Sequence, residues 1–474
     1  MKQFKMVNIF SLIILCNIVF SMIVFPFKPA YENKNGNINK ESDEYNSTHF
    51  LNDYFNRELY ITIKIGNPSQ EVKVLLSSKV CGFKIGKTTH CINSKEYLSY
   101  YNRNKSDDFN YTKTYSGTFT EFGSERGYTA EDSIYAYTDL NLKNEKKYKK
   151  IGFYLGSDTN DELCGIIGFK MDNYAYYCNK INDLIRDFKS INVTNNYKWI
   201  LKYNSIDEGY YIIGAEMKDL VNKFNDKKFF NISSLIKFGE CPWSFSVINI
   251  KCGKDENIEV ISKNRICEIE NDFSLIMGTD AYYKYINKTY FYNYLKKGFC
   301  LKNIWIRSQI YNYFIIECDK KNFGINDIIN FPNLIFVVNE DGKELVLDYN
   351  DLFTETKHKY FFNVIFNTKK NDTWTLGKIF LKKYMFMFDL DSRMIEIYDN
   401  YGEDQSNNNK SSNKNSIGKI SLYICIIIVL LIITAAIAYL LGKNLNKLRK
   451  KRANELLEDN YEYKAKEGNE INSS

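Results

Sequence analysis

At 474 residues the chain exceeds what one hydrophobic core holds, so two lobes plus appendages are expected. Tyr (38) and Phe (33) are abundant while Pro is scarce (5), a balance that favours strands and points to an all-β body. The net charge of +7 is modest for this length, and no basic stripe is interleaved with stacking aromatics, so nucleic acid is excluded as an expected partner.

Residues 1–25 join Lys2 and Lys5 to the apolar run "IFSLIILCNIVFSMIVF", the pattern of a secretory signal, with an uncleaved anchor as the alternative. Residues 26–56 are a polar lead or short pro-segment. From Tyr60 to Asp399 short alternating runs recur between Gly, Asn and Asp: "YITIKIG", "IGFYLG", "GYYIIGA", "SFSVINIKC", "NLIFVV", "YMFMFDL" and "MIEIYD". Such runs predict strands. Only a few stretches, such as "NKINDLIRDF" (179–188) and "TDAYYKYINKTYFYNYL" (279–295), read as helix.

Residues 402–419 read as a flexible stalk. Residues 420–441, "ISLYICIIIVLLIITAAIAYLL", carry no charge over 22 positions and predict a membrane-spanning helix. The basic run from Lys443 to Arg452 follows at once, which predicts a cytosolic tail (442–474) and a body on the other side of the membrane. The expected organisation is a single-pass type I protein of the secretory pathway. Sequons at Asn46, Asn104, Asn110, Asn192, Asn231, Asn287, Asn371 and Asn409 are candidate glycan sites. Nine cysteines lie between the leader and the membrane segment, and an oxidising compartment makes disulfides their default state. Zinc-type C-x-x-C spacing is absent, and neither metal nor cofactor is expected.

The body also hints at a duplication. Each half has a strand entering a polar turn (Leu75–Lys79; Ile269–Asp272), followed far downstream by Ile166-Ile167-Gly168 and Thr375-Leu376-Gly377.

Seven collinear segments carry a resemblance: "YITIKIGNPSQEVKVLL", "GSERGYTAEDSI", "CGIIGF", "YIIGAEM", "PWSFSVINI", "FPNLIFVVNEDGKELVLDYNDL" and "TWTLGKIFLKKYMFMFDLDSRMIEIY". In that order they resemble the pepsin-like aspartic proteases, including plasmepsin-type and membrane-anchored members. The resemblance covers roughly residues 57–400. It implies two β lobes, 57–225 and 226–401, around a cleft that takes an extended peptide or protein segment.

The family's chemistry needs one aspartate from each lobe, the two sharing a proton so that one acts as base and the other as acid. Here the first position falls on Ser77, the second on Glu270, and the flap tyrosine on Thr120. A serine hydroxyl neither holds the shared proton nor takes one from water at neutral pH. The family mechanism is therefore expected to be absent. A two-residue slip bringing Asp272 into the second position would leave Glu270 and Asn271 in an apolar slot. A serine triad on Ser77 would need His49, His90 or His358, none of which falls in a segment that lines the family's cleft.

The resemblance further implies that Ser78 and Asn271 clasp the opposite loops. Lys79 and Asp272 stand where the family has glycine, so two arrangements are open: an ion pair from Lys79 to Asp272 or Glu270 as a structural substitute, or both side chains turned into solvent in an open cleft. It also implies pairs Cys81–Cys91 and Cys300–Cys318. Cys164–Cys178 is a further candidate, and Cys241, Cys252 and Cys267 leave one thiol unpaired. The expected function is a pseudoprotease that binds peptide or protein. The alternatives are a divergent active aspartic endopeptidase and a structural surface protein with a filled cleft.

Overall fold

The structure is a computed structural model. It describes residues 22–29, 59–78, 81–86, 101–120, 123–156, 165–169, 184–221, 224–235, 243–254, 256–306, 312–369 and 371–399. The chain divides into two units, Met1–Tyr401 and Gly402–Ser474, and all of the described residues belong to the first. The expected stalk, membrane helix and tail lie outside the described residues, as does residues 1–21 of the expected leader. Among the described residues no helix is long and apolar enough to cross a membrane.

The body is built on two large sheets, as the alternating runs require. Leu59–Ile65 shows the cause: Leu59, Ile61, Ile63 and Ile65 are buried while the residues between them face outward. Among the described residues the first sheet has thirteen strands. From edge to edge they are Phe229–Ser233, Met394–Asp399, Tyr384–Asp389, Lys198–Tyr203, Gly209–Ile213, Ile23–Pro29, Leu59–Ile65, Gln70–Ser77, Gly165–Phe169, Cys81–Gly86, Glu145–Gly156, Gly123–Tyr137 and Asn110–Thr120.

The second sheet has eleven strands among the described residues. Ten run in the order Glu344–Leu347, Asn333–Val337, Ser244–Lys254, Asn257–Ile269, Trp374–Leu376, Ile276–Gly278, Val364–Asn367, Asn312–Asp319, Lys359–Phe362 and Phe353–Glu355. Cys300–Ile306 pairs beside Asn312–Asp319. Both predicted helical stretches contain helix. Leu184–Ser190 buries Leu184, Ile185 and Phe188. Asp280–Ile286 starts at an N-cap where Thr279 accepts from the Tyr282 amide, and it continues through a wider π turn into Tyr292–Lys296.

Two boundaries differ from the sequence reading. Ile23–Pro29 is a core strand between Gly209–Ile213 and Leu59–Ile65, so the expected leader end at residue 25 falls inside a strand. An apolar run serves a leader and a doubly buried strand equally well, which is why the sequence merges them. Similarly, Phe229–Ser233, Tyr384–Asp389 and Met394–Asp399 join the sheet of the N-terminal half, so sheet membership crosses the expected division at residue 225.

The hairpin partners Cys300 and Cys318 face each other on one rung and are bonded as expected. Cys252 and Cys267 are both buried free thiols. Cys252 sits opposite Glu259 and Cys267 opposite Phe245. The run from Glu259 to Cys267 spans about 25 Å of strand, far beyond disulfide reach. The expectation of one unpaired thiol among Cys241, Cys252 and Cys267 is thus corrected: both of the described two are free. The side chains of Cys81, Cys91, Cys164, Cys178 and Cys241 lie outside the described residues.

Candidate functional site

The duplication hinted at in the sequence is explicit in the ladders. In the first half, Leu75, Leu76 and Ser77 pair in parallel with Ile166, Ile167 and Gly168. In the second, Glu268 and Ile269 pair in parallel with Thr375 and Leu376. After each polar turn the chain returns on the other side of the same short strand: Phe83 lies antiparallel to Ile167, and Ile276 to Leu376. Each return strand then takes a parallel neighbour, Glu145–Gly156 in one half and Val364–Asn367 in the other.

Leu76 and Ile269 therefore occupy equivalent rungs. The residues after them, Ser77 and Glu270, are equivalent too, and the Glu270 amide continues the pattern by donating to Leu376 O at 3.1 Å. Ser78 corresponds to Asn271 and Lys79 to Asp272. The two-residue slip that would make Asp272 the counterpart of Ser77 is not the register of this ladder. Gly377 lets the turns close, since a Cβ there would lie 2.4 Å from Phe273 O and 2.2 Å from Leu275 O.

The two turns meet. The Asn271 amide donates to Ser78 Oγ (3.2 Å), and Asn271 Nδ2 donates to Leu76 O (3.0 Å). One oxygen of Asp272, Oδ2, accepts from Ser77 Oγ (2.9 Å), the Ser78 amide (2.9 Å) and Ser78 Oγ (3.1 Å). Ser77, Ser78 and Asn271 are buried. Lys79, and with it the expected ion pair to Asp272 or Glu270, lies outside the described residues. At the first of the two equivalent positions there is thus a hydroxyl, and that hydroxyl donates to a carboxylate from the other half.

Further groups surround the turns. The fully buried Tyr203 hydroxyl is pushed well up, first by burial and then by Asp272 and Asp207. Glu268, two residues before Glu270 on the same strand, has its carboxyl pushed up by burial and then by Glu270. Beneath the clasp lies a small, largely apolar cavity lined by Ser78, Asn271, Trp199, Leu201, Trp243, Ile269, Leu381, Phe386 and Phe388. Trp199 is stacked between Phe169 (4.4 Å) and Phe388 (4.1 Å), while Trp243 meets it edge-on and donates Nε1–H to Phe169 O at 3.2 Å. This stack joins residues from both ends of the body and gives the clasp a rigid floor.

Thr120 ends its strand opposite Gly123, at the tip of the long hairpin Asn110–Thr120 and Gly123–Tyr137; its side chain lies outside the described residues. The hairpin's base is held by Asp132, a residue the sequence reading did not single out. Buried Asp132 accepts from Tyr101 Oη (2.5 Å), Ser106 Oγ (3.0 Å) and the Ser133 amide (2.7 Å). Ser106 Oγ in turn accepts from the Asn67 amide (2.9 Å), and Gln70 exchanges two bonds of 2.9 Å with the Asn102 backbone. These contacts explain "GNPSQ": Gly66 takes φ +92°, and the turn it opens docks on residues 101–108. Among the described residues no group of His, Cys, Asp and Glu is arranged to hold a metal. His358 sits in the loop before Lys359–Phe362, in the second sheet; His49 and His90 lie outside the described residues.

No protein-family model matches the chain, and no curated protein matches it in sequence.

Proposed function

We propose that the body is a pepsin-like bilobal fold without a working acid pair, and that it binds an extended peptide or protein segment in the cleft between its halves. A secretory leader and the helix at 420–441 would hold it as a type I membrane protein with its body lumenal or extracellular. The observation that carries this reading is that Ser77 and Glu270 follow equivalent rungs, Leu76–Ile167 and Ile269–Leu376, of the duplicated ladders. A dyad needs two carboxyls that share a proton, and one of these two residues has none. The seven collinear sequence segments support the same reading.

The test is a peptide-library assay on the purified full chain, across acid and neutral pH, with and without a statine-type inhibitor. Binding of extended peptides without turnover is the expected result. Inhibitor-sensitive cleavage at acid pH would select the active endopeptidase instead. Neither binding nor cleavage would favour the structural surface protein.

A further inference from the structure

Three donors converge on one oxygen at the junction of the two turns: Ser77 Oγ–H, the Ser78 amide and Ser78 Oγ–H, at 2.9, 2.9 and 3.1 Å from Asp272 Oδ2. Charge-assisted bonds of this kind are the strong ones, and successive donors on one turn make a concavity suited to an anion. The clasp is also lopsided. The Asn271 amide reaches Ser78 Oγ, so the duplication would have the Ser78 amide reach Asn271 Oδ1 in return. Asp272 has taken that amide. Asn271 Oδ1 is left buried without a hydrogen-bond partner, although its Nδ2 is fixed on Leu76 O and the residue is only 3% exposed.

We propose that Ser77–Ser78 is a carboxylate-binding nest in which Asp272 sits as a tethered occupant, and that a carboxylate-bearing ligand takes its place when the 270–272 turn withdraws. Asp272 is half-buried rather than enclosed. An orphaned acceptor next to the nest has a physical meaning here: a symmetric clasp would satisfy Asn271 Oδ1, and the structure forgoes that bond in favour of a carboxylate on Ser78. Approach of a peptide carboxylate along the cleft rests on the function proposed above. The nest itself does not.

The experiment is chemical rescue of the full chain carrying Asp272→Ala. Its unfolding midpoint should drop, then climb with the logarithm of added acetate, as for a ligand that binds the folded state alone. Chloride at matched ionic strength should not restore it, and the unsubstituted chain should show no acetate dependence. A free-carboxyl peptide should act as acetate does and its C-terminal amide should not, which separates a peptide source from a free acid. If the variant does not fold in plain buffer, refolding yield with acetate against chloride reads the same property. A midpoint or yield indifferent to acetate overturns the proposal, whether stability is lost or kept; retained stability would mean that the Ser78 amide has turned to Asn271 Oδ1. Equal rescue by chloride overturns it too. Acetate rescue without any peptide binding would sink the cleft reading and leave the nest standing.

Discussion

Ser78 does more for the turns than its size suggests, because its hydroxyl accepts from the Asn271 amide while donating to Asp272. Ser78→Ala should lower unfolding free energy by about 1–3 kcal/mol, the usual cost of stranding buried partners, and Ser78→Thr should recover most of it. Urea unfolding of the two variants checks this. Glu268 offers a pH test. Burial, then Glu270, holds its folded carboxyl above the ordinary range. The folded state therefore binds that proton more tightly than the unfolded state, so this group costs nothing at low pH, where both states hold the proton, and destabilises the fold as pH rises from the ordinary carboxylate range through the raised value. Glu268→Gln should stabilise the chain at about pH 7 and leave it unchanged at about pH 3, where the carboxyl is protonated in both states. A destabilised variant at neutral pH would contradict the sign. The correspondence of Ser77 with Glu270 could be read from motif register, and the ladders place the two after equivalent rungs. The capture of Asp272 by two serines could not be read there, since a sequence gives the partners of a turn only after the ladder registers are known.

At the scale of elements, the strands that tie the ends of the body together meet at Lys198. Its ammonium lies 2.9 Å from Glu216, 2.9 Å from Glu396 and 3.7 Å from Asp389, with its side chain 13% exposed. Burial works to lower its proton affinity, yet the bonds to Glu396 and Glu216 outweigh this and hold it well up. Lys198→Met strips the countercharge from half-enclosed carboxylates, and a loss of about 3–5 kcal/mol is expected from equilibrium unfolding. The bond Cys300–Cys318 closes a hairpin of sequence separation 18, so Cys300→Ser should cost about 3 kcal/mol by loop closure alone. Strands such as Leu59–Ile65 were readable because one face is wet and the period of two survives. Ile23–Pro29 was not, because a strand buried among neighbours is a plain apolar run. Asn257–Ile269 escaped for the opposite reason: most of it is exposed and polar, and only Cys267 and Ile269 at its end are buried.

For the whole molecule, the first sheet gathers strands from residues 23–29, 59–213, 229–233 and 384–399. The β class followed from composition and alternation, while this interleaving depends on long-range pairing, to which no local pattern points. Lys198–Tyr203 has Gly209–Ile213 on one side and Tyr384–Asp389 on the other. A chain ended near residue 225 would bare that second side, a long apolar edge of the kind that templates aggregation. Such a fragment should be insoluble or oligomeric in light scattering, whereas one extended through residue 401 should be monodisperse. The same arrangement has a consequence for synthesis. A ribosome must release some 160 further residues, counted from the end of the 229–233 strand to the 394–399 strand, before the sheet begun near residue 23 gains its last partner. Throughout that interval the nascent chain carries an unfinished seam, and whatever shields it during translation is as much a condition of this fold as any contact within it.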